Sequence, residues 1–154
     1  MLKYLCAVLV LLTLGAVTGG APSLFAHLNV AGLDRVVIFR MRGDVEHIAS
    51  LTPKQVTAGF TDLAEFSAFD KYQMFAFKAA LENAPVVDET CTDHDFDARW
   101  VIVGESKSGD RLFEIALQEG GVGCTEINGK KVVLGKSFYT YLMRSFSFMN
   151  YTTL

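Results

Sequence analysis

The sequence predicts an α+β fold in which helices pack on an antiparallel sheet. Two observations carry this prediction: side chains alternate with a period of two from about residue 98 to 134, and helix-start signals precede residues 53 and 71. The 154 residues are 51% hydrophobic and 20% charged, a composition that supplies enough apolar surface for a folded domain. No repeat or linker divides residues 21–154, and we expect them to form a single domain.

Residues 1–20 have the features of a signal peptide. Lys3 supplies a short positive region, residues 4–18 are apolar and uncharged, and Gly19 and Gly20 are small residues that a signal peptidase accepts. The apolar stretch is about 15 residues long, shorter than the ~20 that a spanning helix needs. We therefore expect a secreted or periplasmic protein with no stable membrane span after removal of the leader; an uncleaved anchor is the alternative.

Two cysteines, Cys91 and Cys124, remain once a leader containing Cys6 is removed. In an oxidising compartment such a pair forms a disulfide. For a loop of this length the chain-entropy model predicts a stabilisation of about 3–4 kcal/mol. Two reactive or metal-binding thiols are the alternative, although no Cys-x-x-Cys spacing supports it.

The first part of the domain predicts a strand or a hairpin. Residues 33–41 are rich in β-branched side chains, residues 42–44 (Arg-Gly-Asp) suit a turn, and residues 45–49 are a candidate return strand. We expect this element to join the sheet.

A capping box predicts a helix over about residues 53–66. The Thr52 hydroxyl is expected to accept from the Gln55 amide while the Gln55 side chain accepts from Thr52. Leu51 and Val56 occupy the two positions of a hydrophobic staple. The expected buried face is Val56, Phe60, Leu63 and Ala64.

A second helix is predicted over about residues 71–83. It begins after Asp70, with Phe69 and Met74 as the staple pair, and it ends before Pro85. Its expected core face is Met74, Phe77 and Leu81.

Residues 98–134 predict a four-stranded antiparallel meander. The Asn128-Gly129 pair is a strong hairpin signal because both residues tolerate a positive φ. In the second strand the side chains expected to share one face are Phe113, Ile115 and Leu117. Residues 137–150 then predict a closing helix packed on the sheet through Phe138, Tyr141, Leu142 and Met149, with a strand as the alternative because the stretch is rich in aromatic residues.

Charge and motifs exclude several functions. The formal net charge is −3 and no basic run occurs, which argues against a nucleic-acid partner. Neither the nucleophile elbow, the zinc-protease motif, the phosphate loop nor the dinucleotide fingerprint is found. The glycines at 120, 121 and 123 suit a tight turn. We expect no cofactor.

The acidic residues 88–97 are the densest polar cluster. Three carboxylates between residues 93 and 97 have the spacing of the first ligands of a calcium loop. The pattern then fails, because Ala98 stands where glycine is needed and Gly104 where a bidentate Glu is needed. We expect a solvated loop without a tight metal site. The weak metal-ligand candidates are Asp93, His94, Asp95 and Asp97.

Residues 55–59 (Gln-Val-Thr-Ala-Gly) resemble the inhibitory Gln-x-Val-x-Gly loop of cystatins, with Thr57 in place of the central valine. The resemblance covers five residues and implies a small secreted inhibitor. In cystatins the motif lies in a hairpin, whereas the capping box predicts a helix here.

The leading functional hypothesis is a small exported, disulfide-stabilised binding or inhibitory module that acts on a protein partner. If residues 137–150 are helical, one flank points away from the sheet and suits a partner. The candidate partner-binding residues on that flank are Tyr139, Met143 and Phe146. The alternatives are a secreted hydrolase or metal-dependent enzyme using residues 88–97 with His94 or His47, and a carrier of an apolar small ligand.

Overall fold

The described residues form a seven-stranded antiparallel sheet with three helices packed on it, which confirms the α+β prediction. The structure is a computed structural model that describes residues 20–42, 50–91, 96–121 and 123–146. The strands are β1 (Leu33–Arg40), β2 (Asp62–Ser67), β3 (Val86–Asp88), β4 (Trp100–Ser106), β5 (Arg111–Leu117), β6 (Cys124–Ile127) and β7 (Lys130–Leu134). The helices are α1 (Pro53–Gly59), α2 (Lys71–Glu82) and α3 (Ser137–Ser145). The spatial order of the strands is β2-β1-β4-β5-β6-β7-β3.

The predicted meander is confirmed as the consecutive neighbours β4, β5, β6 and β7. Ile102 pairs with Ile115, which in turn pairs with Ile127, so one apolar row crosses three strands. The turn between β6 and β7 uses Asn128 (φ 49°) and Gly129 (φ 82°). The positive φ angles expected from the Asn-Gly pair are therefore present.

Alternation along the strands gives the sheet two buried faces. On one face lies the larger cluster, to which α2 contributes Phe77 and α3 contributes Phe138. On the other face Val56 of α1 belongs to a smaller cluster with Val101 and Val103 of β4. We call these the large-core face and the small-core face.

Helix α1 begins as predicted but ends earlier. Thr52 Oγ1 accepts from the Gln55 N–H at 3.3 Å, and Gln55 Oε1 accepts from the Thr52 N–H at 2.8 Å. The expectation that the helix continues to residue 66 is wrong, because the helix ends at Gly59 and the next residues form β2. Pairing with β1 places Phe66 opposite Val36 and buries its ring. Tertiary strand pairing has overridden the local helical pattern.

The candidate return strand at residues 45–49 lies outside the described residues. Strand β1 pairs instead with β2 on one side and with β4 on the other. The N-terminal strand is therefore an interior strand of the sheet.

Helix α2 matches its prediction in extent and in its core residues Met74, Phe77 and Leu81, which are all buried. The predicted staple is wrong, because Phe69 is almost fully exposed. The Asp70 carboxylate accepts from the backbone N–H of Ser67 (3.2 Å) instead of capping the helix. This turn connects β2 to α2.

Helix α3 confirms a closing helix over Ser137–Ser145. Phe138 and Leu142 are buried as predicted, and burial raises the pKa of the half-buried Tyr141 to about 12. The helix ends at Ser145 with Phe146 as its C-cap, earlier than the predicted residue 150, and residues 147–150, with Met149, lie outside the described residues.

The predicted disulfide between Cys91 and Cys124 is present, with the two Cα atoms 5.8 Å apart. Cys124 is buried at the start of β6, and Cys91 packs against the small-core face. The bridge therefore fastens the chain that follows β3 to the sheet.

Replacing both bridge cysteines with alanine should lower the free energy of unfolding by about 2–5 kcal/mol, because the unfolded chain regains loop entropy. Urea titration of the variant measures the loss, and reduction of the wild-type protein is the matched control. Unchanged stability in both samples would contradict this prediction.

A close approach between Gly121 and Tyr139 fixes the position of α3. A Cβ atom at Gly121 would overlap the Cβ and ring carbons of Tyr139, whereas a Cβ at Gly120 would meet open space. Both glycines have a positive φ, 59° and 80° respectively. Of these two glycines, Gly121 alone combines the backbone requirement with a steric one.

Substituting Gly120 with alanine should cost about 1 kcal/mol through backbone strain alone. Substituting Gly121 with alanine should cost about 1–3 kcal/mol more, since Tyr139 has to move. Urea unfolding of the two variants isolates the steric contribution, and equal losses would show that α3 does not depend on this contact.

Candidate binding surface

Three aromatic side chains project into solvent where β2 passes into α2. Phe69 is 92% exposed, Tyr72 82% and Phe75 73%. We call these three residues the aromatic surface. Monomeric proteins rarely leave neighbouring large apolar side chains uncovered unless they serve an interaction.

The sequence of α2 explains this exposure. Met74, Phe77 and Leu81 occupy the side of the helix that faces the large core. At 3.6 residues per turn, Tyr72 falls on the opposite side and Phe75 falls beside it. A helix buries one side against a sheet, and the residues on the other side meet water.

The turn before α2 holds the first of these aromatic residues away from the core. Asp70 donates its N–H to the Ser67 carbonyl (2.9 Å) and accepts from the Ser67 N–H through its carboxylate. The Ser67 Oγ accepts from the Phe69 N–H at 3.3 Å. Phe69 therefore projects from a hydrogen-bonded turn, which favours binding because little backbone entropy remains to be lost.

A shallow groove of about 310 Å³ lies beside the aromatic surface. Its lining residues are Leu33, Ala68, Lys71, Met74, Phe75 and Lys78. Leu33 and Met74 are buried and apolar. Within the described part of the chain, Lys71 and Lys78 form no ion pair. The groove therefore combines an apolar floor with two lysines that form no ion pair with the described residues.

Exposed apolar side chains concentrate in one region of the described structure. The large exposed hydrophobic residues are Phe60, Leu63, Phe69, Tyr72, Phe75 and Val87. All except Val87 lie between Phe60 and Phe75, which is the stretch that forms and flanks β2. This concentration marks one edge of the molecule as the candidate binding surface.

The predicted flank of α3 is not an exposed flank. Phe146 is only 3% exposed and its ring stacks on Phe66 with the centroids 6.2 Å apart. Tyr139 and Met143 are partly buried against the large core. The expectation that these three residues point away from the sheet fails because α2 and the Glu119–Gly121 turn pack beside α3. Their partner-binding role stays a prediction, with no exposed surface at Phe146 to support it.

Tyr139 belongs to a polar cluster at the end of the large core. Its hydroxyl donates to Glu119 Oε1 (3.2 Å), and Arg40 Nη2 lies 3.5 Å from the same oxygen. The buried Arg40 guanidinium also lies over the Trp100 ring, 4.7 Å from its centroid. Burial raises the pKa of Tyr139. These contacts give the buried cation a carboxylate and an aromatic ring as neighbours, and they join β1, β4 and α3.

Some of the acidic residues between 88 and 97 have a structural role. Asp97 accepts from the Leu51 N–H (2.8 Å) and from Arg99 Nε (2.7 Å), so it ties the start of β4 to the start of α1. Glu89 accepts from Lys130 Nζ at 3.1 Å, and this ion pair lowers the Glu89 pKa. The remaining metal candidates, Asp93, His94 and Asp95, lie outside the described residues, as does His47. The described residues contain no group of three potential metal ligands.

The cystatin-like residues 55–59 lie within α1. Their backbone is committed to the helix that the Thr52–Gln55 capping box begins. The hairpin setting of the cystatin motif is therefore not reproduced.

The sequence contains a signal that could have located the aromatic surface. Residues 60–77 are dense in aromatic side chains, of which Phe66 and Phe77 are buried while Tyr72 and Phe75 are exposed. Assigning Met74, Phe77 and Leu81 to the core face already implies that Tyr72 and Phe75 face outward. The same helical spacing could have identified the candidate site.

None of the helices formed by the described residues is long and apolar enough to cross a membrane. Comparison of the chain with protein-family models, curated proteins and solved structures finds no match.

Proposed function

We propose that this protein is an exported, disulfide-stabilised binding module that holds a protein partner through the aromatic surface. The observation that carries this proposal is the exposure of Phe69, Tyr72 and Phe75 on consecutive turns at one edge of the fold. Interface cores are enriched in aromatic residues, and a few such anchors account for most of the binding energy.

The size of the surface supports a protein partner. A large aromatic side chain buries about 150–250 Å² when it is covered, and buried apolar area is worth roughly 25 cal/mol per Å². Three such residues supply a gross gain that exceeds the lower range of the cost of association, about 4 kcal/mol. The flanking lysines Lys71 and Lys78 favour a partner whose rim carries carboxylates.

Export is part of the proposal. A disulfide between Cys91 and Cys124 persists in an oxidising compartment. The apolar stretch at residues 4–18 behind Lys3 has the composition of a signal peptide. Both features support a protein that works outside the cytoplasm.

Replacing Phe69, Tyr72 and Phe75 together with serine should abolish partner capture while leaving the melting temperature within a few degrees of wild type, since surface changes are worth about ±0.5 kcal/mol each. The measurement is cross-linking and mass spectrometry in fluid from the native source, with each variant at equal concentration.

The matched control is Val87→Ser, which removes an exposed apolar side chain from β3 at the other edge of the sheet. We expect one protein to be retained by wild type and by the control but lost with the triple variant. Retention of the same proteins by all three samples would contradict the proposal, as would loss of folding in the triple variant.

The groove favours a second function, the carriage of an amphiphilic anion. Its floor is formed by Leu33 and Met74, and Lys71 and Lys78 stand at its sides. A volume of about 310 Å³ lies at the lower end of the range for small-ligand sites. An alkyl chain on the floor and a carboxylate between the lysines would match this arrangement.

Laurate and dodecanol have the same alkyl chain and differ in the headgroup. Comparing their binding therefore separates the contribution of charge from that of apolar contact. If the groove is a site, laurate binds in titration calorimetry, and the double variant Lys71→Gln/Lys78→Gln binds it about 3–10-fold more weakly. Lys54→Gln/Lys107→Gln removes the same charge from exposed positions elsewhere and should leave the affinity unchanged. Equal binding of dodecanol, or equal loss in both double variants, would remove this candidate.

A further inference from the structure

The two edges of the sheet differ in how their backbone groups are satisfied. At the β3 edge, Val86 donates its N–H to the Pro22 carbonyl (2.8 Å), and Leu24 donates to the Ala84 carbonyl (2.7 Å). Ser23 also forms a bridge with Pro85. The chain at residues 22–24 therefore covers this edge.

Within the described structure, the outer edge of β2 is left unpaired at two residues. Ala68 donates to Asp34 O (2.6 Å) and Thr61 donates to Arg40 O (2.8 Å), so the even-numbered residues of β1 turn their backbone groups toward β2. In the observed register these residues oppose the even-numbered residues of β2. The N–H and C=O groups of Leu63 and Glu65 consequently point away from the sheet.

Ser67 is the next residue of β2 whose backbone groups point outward, and these groups already have partners. Ser67 directs its N–H and C=O to Asp70, which bonds to both. No described residue bonds to the outward groups of Leu63 or Glu65. Unpaired edge groups of this kind form a template for another strand.

The usual protections of an edge strand are weak here. Strand β2 contains neither proline nor lysine. The Glu65 carboxylate accepts from Arg35 through contacts of 2.7 and 2.8 Å, and Arg35 also donates to Glu105 at 2.9 Å, so one guanidinium is shared between two carboxylates. Leu63, 47% exposed, projects an apolar side chain beside it. The edge therefore presents an apolar side chain beside backbone groups that no described residue bonds to.

We propose that this edge pairs with β2 of a second copy of the chain, antiparallel, with Leu63 opposite Glu65 of the second copy. In this register each pair exchanges both N–H···O bonds, so every outward group of the two residues is used. Ala64 falls opposite Ala64 of the second copy, where its small side chain permits close approach. A register centred on Glu65 would instead oppose two carboxylates.

Charge along the whole strand agrees with this register. Asp62 lies opposite Phe66 of the second copy, so no two like charges face each other. The partner that fits is thus a copy of the same strand, since this register opposes no like charges and uses the outward backbone groups of Leu63 and Glu65 in both copies. The proposal does not depend on the aromatic surface holding a protein partner.

The test is sedimentation equilibrium of the full chain up to ~1 mM, because a short interface is expected to associate weakly. Wild type should shift reversibly from monomer to dimer with concentration. Leu63→Glu places a carboxylate opposite Glu65 of the second copy and should weaken the dimer at least ~10-fold. Leu63→Lys places an opposite charge there and should preserve it.

Val87→Glu is the matched control, because it adds the same charge to the other edge strand; it should leave dimerisation unchanged. Amide exchange of wild type supplies a readout that needs no variant: protection at Leu63 and Glu65 should rise with protein concentration. A monomer at ~1 mM, equal weakening by Leu63→Glu and Leu63→Lys, or loss of the dimer in Val87→Glu would each overturn the proposal.

Discussion

Helix α2 has to cross the sheet from one edge to the other, and the rest of the structure depends on this constraint. It follows β2 and leads into β3, which are the two edge strands. Seven strands at a spacing of about 4.8 Å place those edges roughly 29 Å apart, and the 12 residues of α2 span roughly 18 Å. The connection therefore runs directly over the sheet, and one side of α2 is committed to the large core.

The candidate binding surface is a consequence of that crossing. The first turns of α2 lie near the β2 edge, where no further element covers their outer side among the described residues. Tyr72 and Phe75 are exposed there for the same geometric reason that Met74 and Phe77 are buried. The outward backbone groups of Leu63 and Glu65, to which no described residue bonds, lie on the same edge. Both proposed interactions are therefore located at the edge where apolar side chains and backbone groups are exposed.

The small-core face is held by a different set of contacts. Asp97 bonds the start of β4 to the start of α1, and the Cys91–Cys124 bridge fastens the chain after β3 to β6. Asp97, one of the weak metal-ligand candidates from the sequence, thus holds the start of α1 against the start of β4. Because these contacts lie across the sheet from α2, they are independent of the aromatic surface.

The sequence by itself determined the local elements of this protein. Three of these elements depend on residues that are close in the chain, so the sequence pattern is enough to predict them. They are the Thr52–Gln55 capping box, the Asn128-Gly129 turn and the meander at residues 98–134. The Cys91–Cys124 pairing also followed, because these are the two cysteines outside the predicted leader. The core side of α2 was equally readable from its helical spacing.

Tertiary structure alone decided which elements meet. Residues 62–66 continue a helical pattern, yet pairing with β1 makes them a strand, because the ladder bonds and the burial of Phe66 outweigh a weak local preference. Phe146 was assigned to an exposed flank, but its stacking on Phe66 depends on where α3 lies over the sheet. The exposure of Phe69 depends on the Ser67–Asp70 turn. The position of Leu63 and Glu65 at an edge of the sheet depends on the order of the strands. Such properties arise from contacts between distant residues, which periodicity along the chain does not encode.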